Sequence, residues 1–241
     1  MAASIFGMRK DIFDSLTDQN RFLVSEIERS AGFEIEVITI SERHEKYGLP
    51  YVPEFDDFPG VRSNHKFIRL ELPDEFEMTP DIWLHELLHL DRFYVQRVPK
   101  LIGRGPQQFF HFINGLDNSI EHVFFFEKGA RISNSFAASE RFLDQNFWNT
   151  WQPPAGNDIG IFPTTLNAYS KASRHYPEMV EAIEDTIAPH LDMRDFKTAA
   201  EVLSKINDKA EYARYLLAPF PVEFKRSLFL CDTATDSYKS L

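Results

Sequence analysis

Apolar residues recur at helical spacing between residues 9 and 30, at Ile12, Phe13, Leu16, Phe22, Leu23 and Ile27. The spacing predicts one amphipathic helix, broken near Asp18 and ended before Gly32. From Glu34 to Ile40, β-branched residues alternate with acidic ones, which predicts a strand. Residues 42–64 contain Gly48, Pro50, Pro53, Pro59 and Gly60 and read as a long loop. Lys66 to Leu72 alternates apolar with charged side chains, predicting a half-exposed strand that Pro73 stops.

Thr79-Pro80-Asp81 has the chemistry of a helix start: a hydroxyl cap, proline in the first turn and an acid beside the positive helix end. The helix is expected to run to about Val98, before Pro99. Trp83, Leu87, Leu90 and Tyr94 would form its apolar stripe, and His85, His89, Arg92 and Gln96 a separate polar one. A loop from Pro99 to Pro106 leads to a second helix from Gln107 to about Glu127, with Gly129 at its end. Further helices are expected near 136–150, 177–190 and 196–216. A loop at Pro153-Pro154-Ala155-Gly156 separates the first two, and an apolar run spans Phe224 to Cys231. The fold class is α+β, mainly helical with a small mixed β-sheet. No shift in composition marks a boundary, so residues 1–241 read as one domain, with a core at about 33–130 and a helical part at about 135–241.

The formal net charge of −11 sets an acidic surface against phosphate backbones and excludes nucleic acid as an expected partner. Cys231, the single cysteine, has no partner for an internal disulfide and reads as a small buried hydrophobe. Residues 1–10 lack the apolar stretch and small-residue cleavage site of a secretory signal. No run reaches the roughly 18 apolar residues that span a bilayer. The expectation is a cytoplasmic protein with no membrane partner.

The chemistry concentrates in His85-Glu86-Leu87-Leu88-His89. Residues four apart on a helix share a face, so His85 and His89 offer two imidazoles to one point. Tetrahedral Zn2+ accepts that bite. Glu86, turned about 100° away, is placed as a general base toward a metal-activated water. A catalytic zinc needs a third protein ligand and keeps the fourth position for water. A further histidine six residues on is excluded, because the chain has Arg92 and Val95 where that extension needs Gly and His. The next helix carries Asn114, Asp117, Asn118, Glu121 and His122. His122 would give three imidazoles and Glu121 a His-His-Glu set; Glu127 is a weaker candidate, and periodicity does not choose among them.

The segment from Thr79 to Gly129 resembles zincin-type metallopeptidases. It is most similar to bacterial intracellular zincin-like proteins whose second helix reads Asn-x-x-x-His, here Asn118 to His122. The resemblance implies a zincin-like fold in which His85, Glu86 and His89 lie on the active-site helix. It favours His122 as the third ligand, with Asn118 orienting a ligand. A further similarity, to the bacterial family that cleaves repressors, implies a dedicated protein substrate.

The expected function is therefore zinc-dependent hydrolysis of a protein or peptide, with Glu86 as catalytic base and His111, Tyr94, Arg92 or His65 as candidate oxyanion donors. The strand at 66–72 is a candidate edge for an extended substrate. The competing reading is a zincin-like regulatory or protein-binding module that keeps the metal without cutting. A di-iron site would need a second Glu-x-x-His, and a serine hydrolase a Gly-x-Ser-x-Gly; the chain has neither.

Overall fold

The computed structural model describes residues 10–51, 56–153 and 161–241. The expected loop at Pro153–Gly156 lies mostly outside them. The chain divides into two compact units: Met1–Val98 with Asp232–Ser237, and Pro99–Cys231 with Tyr238–Leu241. The class is α+β, largely helical with small sheets.

The first unit opens with α1 (Lys10–Ser15) and α2 (Asp18–Ala31). The break expected near Asp18 is present: the Thr17 hydroxyl accepts from the Asn20 amide and starts α2, and Gly32, at φ 79°, ends it. Strand β1 (Ile35–Thr39) is followed directly by α3 (Ile40–Tyr47), then β2 (Gly60–Asn64) and β3 (Phe67–Leu72). The strands form a mixed sheet in the order β1-β3-β2, parallel between β1 and β3 and antiparallel between β2 and β3. Leu23, Val24 and Ile27 of α2, Ile35 and Val37 of β1, and Ile68 and Leu70 of β3 are buried in this unit.

Two expectations are corrected here. Residues 42–64 are not one loop, because α3 and β2 occupy both ends. Thr39 and Glu42 form a capping box, each side chain bonding the other's backbone amide, and Gly48, at φ 65°, closes α3. The second correction concerns β3, which is neither half-exposed nor an edge open to a substrate, since it lies between β1 and β2. Its charged positions, Arg69 and Glu71, are buried in ion pairs. Arg69 Nε lies 2.9 Å from Glu36, and Glu71 Oε2 accepts from Arg43 at 2.8 Å and from Arg62 at 2.7 Å. Arg43 also holds both oxygens of Asp56 and the Pro50 carbonyl. The alternation in β3 therefore reports a charged core face, not a solvated one.

Helix α4 (Pro80–Leu90) begins as the sequence implies, with the Thr79 hydroxyl accepting from the Ile82 amide. The α geometry stops at Leu90, and Asp91–Val95 form a π-helical turn. Arg97, in the left-handed region at φ 58°, then ends the run. The expected apolar stripe holds: Trp83, Leu87, Leu90 and Tyr94 are all buried.

In the second unit, β4 (Lys100–Gly103) occupies what reads in the sequence as a loop. It pairs antiparallel with β5 (Leu228–Asp232), which continues to β6 (Ser237–Ser240). The partner that makes residues 100–103 a strand is more than a hundred residues away, so local composition cannot announce it. Cys231 lies in β5 and is half-buried.

Helix α5 (Gln107–Ile132) runs past its expected end. Gly129 is interior to it, because a Cβ there would overlap the Phe136 ring of α6 (Asn134–Thr150). Ser133 caps α6 through the Phe136 amide, so the two helices join without a loop. Beyond them come α7 (Ile161–His175), a 3-10 turn at Pro177–Met179, α8 (Val180–Ile187), α9 (Met193–Lys205), α10 (Lys209–Leu216) and α11 (Val222–Arg226). The helix expected at 196–216 is thus two helices. Asp208 caps the second through the Glu211 amide. Leu166, Phe125, Phe136, Phe196, Leu203 and Tyr212 are buried in this unit. No helix among the described residues is long and apolar enough to cross a membrane.

Candidate metal centre

On α4, His85 and His89 stand one turn apart, their ring centres separated by 5.1 Å and their planes at 66°. His85 is half-buried and His89 buried. The Phe93 ring lies 6.3 Å from that of His89, at 24° to it. Glu86, between the two histidines in sequence, is buried. Burial raises its carboxyl to about 7, against the opposing influence of the His85 charge.

His122 and Glu121 are adjacent on α5 and differ sharply in their surroundings. Glu121 is fully buried, and its Oε1 is ion-paired with Lys209 Nζ of α10. The same ammonium lies 2.6 Å from Asp117 Oδ1, which also accepts the Leu101 amide at 2.7 Å. Burial pushes the Asp117 carboxyl up, and Lys209 opposes that shift. His122 is half-buried, with its ring 4.8 Å from that of Phe125 and its Nδ1 3.1 Å from Glu140 Oε2. Asn118 is exposed. The carboxylate that meets His122 comes from α6, whereas the sequence assigns an orienting role to Asn118.

The candidate oxyanion donors are dispersed. The Tyr94 hydroxyl donates to the Asn64 carbonyl at 2.7 Å and so ties the π-helical turn to the β2–β3 hairpin. His65 lies in that hairpin, with Nδ1 3.4 Å from Asp236. Arg92 is buried in the π-helical turn. His111 sits on α5 beside Phe110, their ring centres 6.1 Å apart.

In the first unit His85 and His89 share one face of α4, and in the second unit His122 stands on α5 against Glu140. A pair of imidazoles one helical turn apart, and an imidazole anchored by a carboxylate, are each the kind of donor that zinc accepts. Sequence reasoning misses Glu140 and its buried partner Lys171. Neither stands at a motif spacing from the histidines, and α7, which carries Lys171, has Pro163 in its first turn and small or polar residues at several buried positions. No family model, curated protein or solved structure matches the chain.

Proposed function

We propose that the chain is a zinc-dependent metallopeptidase acting on an intracellular protein or peptide, and that α4 is the active-site helix of a zincin-like fold. The observation that carries this reading is the arrangement on α4: two imidazoles on one face, one turn apart, with a buried carboxylate next to the first. His85 and His89 would hold the ion. From the sequence, His122 and Glu121 compete as the third ligand, and His122 is preferred because the Glu121 carboxylate is committed to Lys209.

The bound ion would supply an acidified water and polarise the scissile carbonyl. The protein's part is to place a base of suitable strength. A carboxylate held away from solvent is more basic than an exposed one, as a group that takes a proton and returns it must be near neutral pH. Glu86 would accept the proton at a carboxylate oxygen and deliver it to the leaving amine.

The test is metal analysis combined with proteolysis. Purified protein is expected to carry about one zinc per chain and to cleave members of a peptide library derived from a cell lysate. Glu86→Gln should keep the metal and lose cleavage by at least about a hundredfold. Zinc binding with no cleavage by either protein would replace the peptidase reading with that of a metal-holding binding module. Absence of zinc, iron or manganese after attempted reloading would dismiss both.

A further inference from the structure

We infer that Glu140 is a positioning residue for His122, fixing which imidazole nitrogen is offered to a metal, with Lys171 as the countercharge that holds Glu140 in place. The inference deepens the zinc reading above and depends on it for its purpose.

The argument begins with local packing. Gly129 lets α6 come close to α5, and Phe136 fills the space a side chain would need. Ser133 caps α6 at the junction, so the direction of α6 is set within a few residues of α5. One turn beyond Phe136, Glu140 then reaches back to α5. Its Oε2 lies 3.1 Å from His122 Nδ1 and 3.0 Å from Lys171 Nζ of α7. Glu140 and Lys171 are both buried.

An ionised carboxylate only accepts hydrogen bonds. Beside it, Nδ1 of a neutral His122 must carry the proton, which leaves the Nε2 lone pair as the ligating one. Metal-bound histidines are commonly held this way, with a carboxylate on the other ring nitrogen selecting the tautomer and raising donor strength.

A purely structural role would not require this contact. Lys171 already has a second acid, with Asp144 Oδ2 at 2.9 Å. Lys171 is shared between the two acids, and burial holds the Asp144 carboxyl above its ordinary range, so the buried Glu140 carboxylate still calls for another donor. The imidazole N–H is that donor. Burial, with Asp144 and Glu140 close by, holds the Tyr176 hydroxyl above its ordinary range, so it faces the same cluster.

The test uses the full chain. In metal-free protein labelled with 15N in histidine, two-bond proton–nitrogen spectra should show His122 in the Nδ1–H form. Glu140→Gln should convert it to a mixture of tautomers, since an amide can either accept or donate. The same substitution should weaken zinc binding by about 10- to 100-fold in a chelator competition and alter the visible spectrum of the cobalt-loaded protein. If Glu140→Gln does not fold, the double variant Glu140→Leu/Lys171→Met removes both charges, and the same affinity loss is expected. Zinc held equally by wild type and variant, with the His122 tautomer unchanged, overturns the role of Glu140 alone. A wild-type protein that takes up no zinc overturns the metal site and this role with it.

Discussion

Across one turn of α4, the imidazoles of His85 and His89 stand with ring centres 5.1 Å apart, half-buried and buried respectively. Two ligands on one rigid turn lose little entropy on binding an ion, so each should matter strongly. We predict that His85→Ala and His89→Ala each lower zinc occupancy from about one per chain to below about 0.1 at micromolar free zinc. Inductively coupled plasma mass spectrometry after dialysis measures this. Near-full occupancy in either variant would exclude the pair as ligands.

Glu86 supplies a pH signature for the metal-free protein. Burial raises its carboxyl to about 7, so the folded state holds a proton that the unfolded chain releases near 4.5. Ionisation in the fold therefore costs nothing below pH 4.5, grows through the interval, and is fully felt above pH 7. Glu86→Gln is expected to stabilise the metal-free protein by about 2–3 kcal/mol at pH 8 and to leave it nearly unchanged at pH 4. Chelator-treated samples unfolded by urea at the two pH values decide it. An equal effect at both would show that burial is not the cause.

Arg43 is buried between Asp56 and Glu71, within 2.8 Å of each. Removing the guanidinium leaves two buried acids to the half-exposed Arg62 and, for Glu71, the more distant Arg69. Arg43→Met should cost about 3–5 kcal/mol, and the triple variant with Asp56→Asn and Glu71→Gln should recover most of that. A single variant within about 1 kcal/mol of wild type in urea titration would contradict the arrangement.

Gly129 tests the junction of α5 and α6. Glycine to alanine inside a helix ordinarily gains about 1 kcal/mol. Here the added methyl would overlap Phe136, which is 1% exposed and has no free space to move into. Gly129→Ala should therefore destabilise by about 1–3 kcal/mol. A rise in the thermal midpoint would mean that the two helices separate more easily than their packing implies.

What could be read beforehand follows from where each signal is stored. Thr79-Pro80 and the spacing of Trp83, Leu87, Leu90 and Tyr94 are local, and α4 forms where they place it. The break before α2 and its end at Gly32 are equally local. The Thr39–Glu42 capping box was also in the sequence, but the prolines and glycines that follow it masked α3. Other features have no local trace. Lys100–Gly103 becomes a strand through Leu228–Cys231, and Gly129 looks like a helix end until Phe136 is seen to need its space. For the candidate site, His85, Glu86 and His89 follow from one pentapeptide. Glu140, meeting His122 from the next helix, follows from none.

Lys209 joins Asp117 and Glu121 across about ninety residues of chain. Until α10 arrives, Asp117 and Glu121 in the middle of α5 lack that ammonium, and Lys100 is the lysine left to oppose them. A ribosome that has released only the first two hundred residues thus presents an α5 whose two acids face one lysine rather than two. That helix can form early, and its acids gain their direct ion pairs only when α10 is made. The order of synthesis, from α5 to α10, is also the order in which the second unit becomes able to exclude water.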